Sequence, residues 1–287
     1  MTLSGATRLA AVIGDPIRHS RSPAIFNAAF AATGLDWAYL AFEVPEGRAA
    51  GALDAVRALG IEGLSVTMPH KTEVARLVDE RSPQAERLGA VNCVARRGDR
   101  LIGHNTDGAG FVASLRADAD FEPGGRRCVV LGAGGAARAV VLALADAGAT
   151  EVTVVNRSAD KARSAASLAG PLGSAAPVSD LATHLATADL LVNATSVGMD
   201  AASTPVDDRT LATVADSVLV ADLIYLPPVT PLLAAAEARG LRTLNGLGML
   251  VHQAAEAFEH WTGLPAPLAE MRRAGGAPGG AILHAGE

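Results

Sequence analysis

The chain has 287 residues, 49% of them apolar and only 3% aromatic, with a formal charge of −6. That length suits two domains, and the scarcity of aromatic residues favours close-packed α/β layers over an aromatic-rich sandwich. No basic run is present to meet a nucleic acid, Cys93 and Cys128 make no disulfide framework, and no apolar run reaches the ~18 residues of a membrane span.

Residues 9–14 (LAAVIG) read as a strand, followed by the turn-rich DPIRHSRSP and a helix over 23–33. A strand over 37–44, a helix over 47–59 and a strand over 63–67 complete a β-α-β-α-β order, which calls for a mainly parallel sheet covered by helices. A short helix over 72–78 and a hairpin turning at Gly98-Asp99 come next. The polar stretch 118–127, with Pro123-Gly124-Gly125, marks a change of domain in the region 107–124. The pattern then restarts: a strand over 127–131, a glycine turn, a helix to about 147 and a strand over 151–155. Weaker strands follow near 190–195, 217–225 and 241–246, then a strongly periodic helix over 245–263. From Arg272 onward, six glycines and prolines among few large apolar residues predict a flexible tail over 272–287. The start of the chain lacks the apolar core of a signal peptide, so a cytoplasmic location is expected.

The glycine turn is the first chemical signal. Gly132, Ala133, Gly134, Gly135 and Ala136 follow a strand and open a helix, where backbone N–H groups and the helix N-terminus can receive a pyrophosphate. The spacing is GxGGxxxA rather than GxGxxG, and a tight turn without a ligand is the plain alternative. At the end of the next strand an NAD site usually carries an acidic residue for the ribose 2′-OH. Here Asn156, Arg157 and Ser158 stand there, with Lys161 one turn later. Arg157 suits a 2′-phosphate through two parallel hydrogen bonds, so NADP is expected over NAD; a solvated arginine at a helix start is the alternative.

These segments sit within a longer series: VIGDPIRHSRSP (12–23), SVTMPHK (65–71), GAVN (89–92), NTDGAGF (105–111), GAGGAARA (132–139), NRSADKA (156–162), NATSVGM (193–199), DLIYLPPVTPLL (222–233) and GLGMLVHQA (246–254). In this series the chain resembles the shikimate dehydrogenase family over practically its whole length. The resemblance implies an α/β, two-domain fold, with an N-terminal substrate domain on a mainly parallel sheet and a C-terminal Rossmann NADP-binding domain, the active site lying in the cleft between them. It divides the chain into 1–107, 108–245, helices over 246–271 returning to the substrate domain, and the tail. It implies reversible, NADP-dependent reduction of 3-dehydroshikimate to shikimate in aromatic amino-acid biosynthesis. Carried over by position, the catalytic pair falls on Lys71 and Asp107. Substrate contacts fall on Ser20, Ser22, Thr67, Asn92, Tyr225 and Gln253 as well as on that pair, and cofactor contacts on the 132–136 turn, Asn156, Arg157, Ser158, Lys161, Leu223 and Gly246. Ser65, Cys93 and Phe26 stand where the family commonly has Asn, Thr and His, which bears on ring preference rather than on reaction type.

The residues themselves suit that chemistry. A small carboxylate with several hydroxyls and one ketone calls for short neutral donors and acceptors, the inventory of Ser20, Ser22, Thr67, Asn92 and Gln253. Ser20 and Ser22 also suit a capped turn before a helix. An ammonium group can stabilise a developing alkoxide and then protonate it, which points to Lys71; a salt bridge with Asp107 that merely braces the fold is the alternative. His70, beside Pro69, is read as a structural residue, and the histidines show no metal-ligand spacing. A quinate/shikimate or aminoshikimate dehydrogenase remains open, as does a catalytically silent NADP-binding regulator on the same fold, although such a descendant has no reason to keep both Lys71 and Asp107. A folate-type dehydrogenase would leave SRSP, NTDGAGF and GMLVHQ unexplained. The partner expected is a small molecule, with neither nucleic acid nor membrane, and the chain is compatible with a monomer or a homodimer.

Overall fold

The computed structural model describes residues 3–276. In chain order it contains β1 (Arg8–Gly14), α1 (Ser22–Ala32), β2 (Trp37–Glu43), α2 (Ala49–Ala58), β3 (Gly63–Val66), α3 (Lys71–Leu77), β4 (Glu80–Arg81) and α4 (Pro83–Leu88). Next come β5 (Cys93–Arg97), β6 (Arg100–His104), α5 (Asp107–Ala119), β7 (Arg127–Leu131), α6 (Gly135–Asp146), β8 (Glu151–Val155), α7 (Ala159–Ala166) and β9 (Gly173–Ala176). The chain ends with α8 (Leu181–Leu185), β10 (Leu190–Asn193), α9 (Asp208–Leu211), β11 (Leu219–Asp222), α10 (Pro231–Ala238), β12 (Arg242–Leu244), α11 (Leu247–Thr262) and α12 (Leu268–Gly276). Of the described residues, 3–81, 91–104 and 254–276 form one compact unit, and 82–90 with 105–253 form a second. None of the described helices is long and apolar enough to cross a membrane.

The first unit is built on a six-stranded sheet in the order β2-β1-β3-β5-β6-β4. β1 pairs in parallel with β2 and β3, as the alternating pattern predicts, while β5 and β6 form the expected antiparallel hairpin. Its core gathers Phe26, Phe30, Trp37, Tyr39, Phe258 and Trp261, all buried. Trp261 lies flat enough on β3 that a Cβ at Gly63 would meet its indole at 2.3 Å, and its Nε1–H donates to the Val94 carbonyl at 3.0 Å. α12 packs on α1 with Met271 fully buried, and Arg21 donates to the Gly275 carbonyl. Regular helix therefore enters the first five residues of the stretch read as a flexible tail. Residues 277–287 of that stretch lie outside the described residues.

The second unit is a six-stranded, wholly parallel sheet in the order β12-β11-β10-β7-β8-β9. Read from β9, the chain order reverses between β7 and β10, the switch point outside which such sheets receive ligands. Its core is mainly aliphatic: Val130, Val140, Leu144, Val152, Val154, Leu190 and Val192 pack with Phe111, Phe121 and small alanines such as Ala137 and Ala165.

Two features depart from the sequence reading. The segment read as a domain boundary is the helix α5, which begins at Asp107 itself. Its glycines, poor helix formers, serve close approach: a Cβ on Gly108 would lie 2.7 Å from the Ala139 carbonyl oxygen, and one on Gly110 would lie 2.6 Å from Gln253 N. Residues 82–90 group with the second unit instead of the first. There Leu88 packs against Ala139 and Leu142 of α6, and Arg87 Nη1 donates to both Asp146 oxygens at 3.0 and 2.8 Å.

Candidate active site and cofactor groove

In the first unit, β1 and β3 run parallel and end side by side. Thr67 N donates to the Ile13 carbonyl and Asp15 N to the Met68 carbonyl, each at 3.0 Å, which ties the two exits together. From β1 the chain turns into α1, where Ser22 N donates to Ser20 Oγ at 3.3 Å. From β3 it passes the cis Met68-Pro69 bond into α3, whose first residue is Lys71. The Lys71 carbonyl accepts from Val91 N at 2.9 Å, and Asn92 accepts from Val66 N at 2.8 Å while donating to the His104 carbonyl at 3.0 Å. Ser20, Ser22, Thr67, Lys71 and Asn92 are thereby gathered at one end of one sheet. His70 turns the other way: it is fully buried, and its Nε2 donates to the Val44 carbonyl at 2.7 Å, tying the exit of β2 to this turn.

In the second unit, Asp107 opens α5 and is buried. Its N–H donates to Asn105 Oδ1 at 3.2 Å, and Asn105 Nδ2 donates to the Ala90 carbonyl at 3.0 Å. The neighbouring Thr106 hydroxyl donates to the Gln253 carbonyl at 3.0 Å, so Asp107 and Gln253, far apart in sequence, share one place.

The glycine turn leaves β7 with Gly132 at φ +105°, a backbone state that a β-carbon disfavours, and a Cβ there would also lie 3.0 Å from the Ala194 carbonyl oxygen. Above Gly134 and Gly135 a Cβ would meet nothing within 4 Å, so the N-terminus of α6 faces open space. A groove of about 490 Å³ opens there, lined by Ala133, Gly134, Arg138, Asn156, Asp160, Lys161 and Ser164. Arg157 is exposed and is not among its lining residues, whereas Asn156 and Lys161 are. Ser158 caps α7 by accepting from Lys161 N at 3.5 Å. Leu131, Asn193 and Asp222 end β7, β10 and β11 in register. Leu223 follows directly and packs so closely on Gly246 that a Cβ there would lie 2.0 Å from the Leu223 carbonyl oxygen. Tyr225 continues the same exit, half-buried. Among the described residues, no group of three or more His, Cys, Asp or Glu could hold a metal ion.

Three family models match successive parts of the chain: a shikimate dehydrogenase substrate binding domain over residues 12–94, a shikimate/quinate 5-dehydrogenase over 116–231, and a shikimate 5'-dehydrogenase C-terminal domain over 246–274. A shikimate dehydrogenase (NADP(+)) of Citrifermentans bemidjiense is 46% identical over 285 residues, which cover 96% of each chain. The chain belongs to the shikimate dehydrogenase family. A crystal structure of the family, that of the Thermus thermophilus enzyme in complex with NADP(H) and shikimate, is 38% identical with a TM-score of 0.85, covering 93% of this chain and 98% of the other. The quinate dehydrogenase of Corynebacterium glutamicum in complex with NAD is 33% identical with a TM-score of 0.87, again covering 93% and 98%.

Beside the residues that the family resemblance named, the second unit holds a buried polar network at the exits of β10 and β11. Asn193 Nδ2 donates to Asp222 Oδ1 at 3.0 Å and to the Val197 carbonyl at 3.1 Å, while Thr195 Oγ1 donates to Asn193 Oδ1 at 2.7 Å. The Thr230 hydroxyl donates to Asp222 Oδ2 at 2.7 Å, and Ile224 N to Asp222 Oδ1 at 3.1 Å. Burial pushes the Asp222 carboxyl above its ordinary range, and these donors oppose that shift. NATSVGM and DLIYLPP therefore have a structural meaning that spacing alone does not show: they lock two strand exits to each other. Arg138 and Ser164 are further groove residues without a motif of their own, joined where Arg138 Nη1 donates to Ser164 Oγ at 3.1 Å.

Proposed function

We propose that the chain acts as an NADP-dependent shikimate dehydrogenase in the cytoplasm, interconverting 3-dehydroshikimate and shikimate in aromatic amino-acid biosynthesis. The observation that carries this reading is the gathering of Ser20, Ser22, Thr67, Lys71 and Asn92 at one end of one sheet, in a chain 46% identical to a shikimate dehydrogenase (NADP(+)) over 96% of its length.

The second unit has the features that NADP needs. Open space lies over Gly134 and Gly135 at the start of α6, where the N–H groups of the 132–136 turn suit the pyrophosphate. Asn156 follows β8 where an NAD site would carry a carboxylate, and with Ser158, Lys161 and the exposed Arg157 it would hold the 2′-phosphate. Leu223 and Gly246 would line the nicotinamide end. When bound, NADP supplies the hydride donor or acceptor.

The protein's own work is proton handling and orientation. In reduction the Lys71 ammonium donates a hydrogen bond to the ketone oxygen and then its proton; in oxidation the neutral amine takes the proton of the reacting hydroxyl. Asp107, an acceptor when ionised, receives a substrate hydroxyl hydrogen and fixes the reacting end of the ring. Ser20, Ser22, Thr67, Asn92, Tyr225 and Gln253 meet the carboxylate and the other hydroxyls. Such a site rejects an analogue that lacks a hydroxyl, because buried polar groups are then left unpaired.

A second reading, oxidation of quinate with NAD, has support in the likeness to the Corynebacterium glutamicum quinate dehydrogenase. Initial rates with shikimate and quinate, each with NADP+ and NAD+, separate the two. Shikimate with NADP+ is expected to give the highest kcat/KM, and preference for quinate with NAD+ would overturn the proposal.

A further inference from the structure

Phe26, Ser65 and Cys93 are joined through Tyr39 in one chain of neighbours inside the first unit. The Phe26 ring stacks on Tyr39 with centroids 4.4 Å apart, and Trp261 flanks it at 4.8 Å. Tyr39 Oη donates to Ser65 Oγ at 2.7 Å, and Ser65 stands opposite Cys93 in the β3–β5 register. Tyr39 itself is 1% exposed. Burial pushes its pKa far above the ordinary range, so the phenol keeps its proton.

Donor counting gives this chain a direction. A phenol has one proton, and that of Tyr39 goes to Ser65. Ser65, with one lone pair engaged in this way, keeps its own proton to donate. Ser65 lies on β3 two residues before Thr67, which follows the end of the strand, and extended backbone sends side chains two residues apart to the same side. Ser65 is half-buried, unlike the phenol that orients it.

We propose that Tyr39 is a positioning residue that sets substrate specificity, presenting Ser65 as a hydrogen-bond donor to the hydroxyl-bearing carboxylate bound at the β1–β3 edge. This rests on the reading of that edge as the shikimate site. Cys93 and Phe26 contribute by shape: a buried thiol beside Ser65 competes weakly for its proton, and a phenyl ring at Phe26 offers the phenol no rival hydrogen-bond partner.

Tyr39→Phe tests this, since it removes one oxygen and keeps the ring stack. The KM for shikimate is expected to rise roughly tenfold, the worth of one hydrogen bond to a charged ligand, with kcat within about twofold and the KM for NADP+ unchanged. The ratio of kcat/KM for shikimate to that for quinate shifts as well. Ser65→Ala, at a half-buried position, is expected to reproduce the effect, and the double variant to be no worse than the more affected single one, because the two hydroxyls act as a unit. A Tyr39→Phe enzyme that melts earlier but keeps its KM and its substrate ratio would reduce Tyr39 to a packing residue and overturn the inference. Additive effects in the double variant would overturn it equally. A wild-type protein that does not oxidise shikimate would overturn the substrate reading and this inference with it, whereas an active wild type with an unaffected Tyr39→Phe overturns this inference alone.

Discussion

The two units are made of different material. Of the chain's aromatic residues, Phe26, Phe30, Trp37, Tyr39, Phe42, Phe258 and Trp261 lie in the first unit, while the second holds Phe111, Phe121 and Tyr225. The first unit mixes parallel and antiparallel pairing and sets hydroxyl side chains beside an aromatic slab. The second is wholly parallel, mainly aliphatic, and brings backbones together through glycine. The difference follows what each unit has to recognise. A ring bearing several hydroxyls is read by side-chain donors and acceptors whose directions must be held, and a stack of rigid rings holds them. A pyrophosphate is read by backbone N–H groups, and these are presented only where no β-carbon intervenes. Adding one carbon should therefore damage the second unit, while removing one oxygen should damage the first.

The largest effect on that side of the comparison is expected at Gly246. In Gly246→Ala the new Cβ would lie 2.0 Å from the Leu223 carbonyl oxygen, and backbone cannot swing aside as a side chain can. Stability is expected to fall by roughly 3 kcal/mol, the upper range for overpacking, as measured by the urea midpoint, with weaker NADPH binding in the same titrations. Wild-type stability and affinity in this variant would mean that close backbone approach is not what organises the second unit.

A smaller effect belongs to the first unit. His104 stacks on His260 with ring centroids 3.9 Å apart. Burial, with His260 and Arg97 adding to it, holds its pKa down to about 4. An unfolded histidine takes up its proton near pH ~6.5, so between these values the unfolded chain binds more protons than the folded one. The neutral imidazole thus contributes stability above pH ~6.5 that is lost as pH falls toward the folded value. His104→Gln is expected to flatten this acid limb by less than about 1 kcal/mol, because the ring is only half-buried and solvent screens it. Urea midpoints between pH 4 and 7 measure it, and an acid limb as steep as that of the wild type would remove His104 from the account.

Much of this organisation is legible in the sequence. β1, β2, β3, β7 and β8 stand out because each is an apolar run between turn residues, and the 132–136 turn because its glycines sit between a strand and a helix. α5 is hidden because Gly108 and Gly110 dilute its pattern, and what they achieve is a contact with Ala139 and Gln253 that sequence spacing does not display. β9 is hidden because GSAA has neither branched nor aromatic residues. The grouping of 82–90 depends on Leu88 and Arg87 meeting α6, a tertiary fact. At the site, Lys71 and the serines are readable by type and motif, and His70 is buried against Val44 in keeping with its structural reading. Tyr39 is not readable, since a tyrosine in a strand looks like core until its hydroxyl is seen to face Ser65. Asn193 and Asp222 are likewise distinguished only by the bonds they exchange across β10 and β11.

We assign proton transfer to Lys71 in the first unit and cofactor binding to the second. Lys71→Ala tests it directly, with shikimate turnover and NADPH affinity measured on the same preparation. Turnover is expected to fall by about two orders of magnitude or more while NADPH binds as to the wild type. Turnover within a few-fold of wild type, with folding and cofactor binding intact, would contradict it.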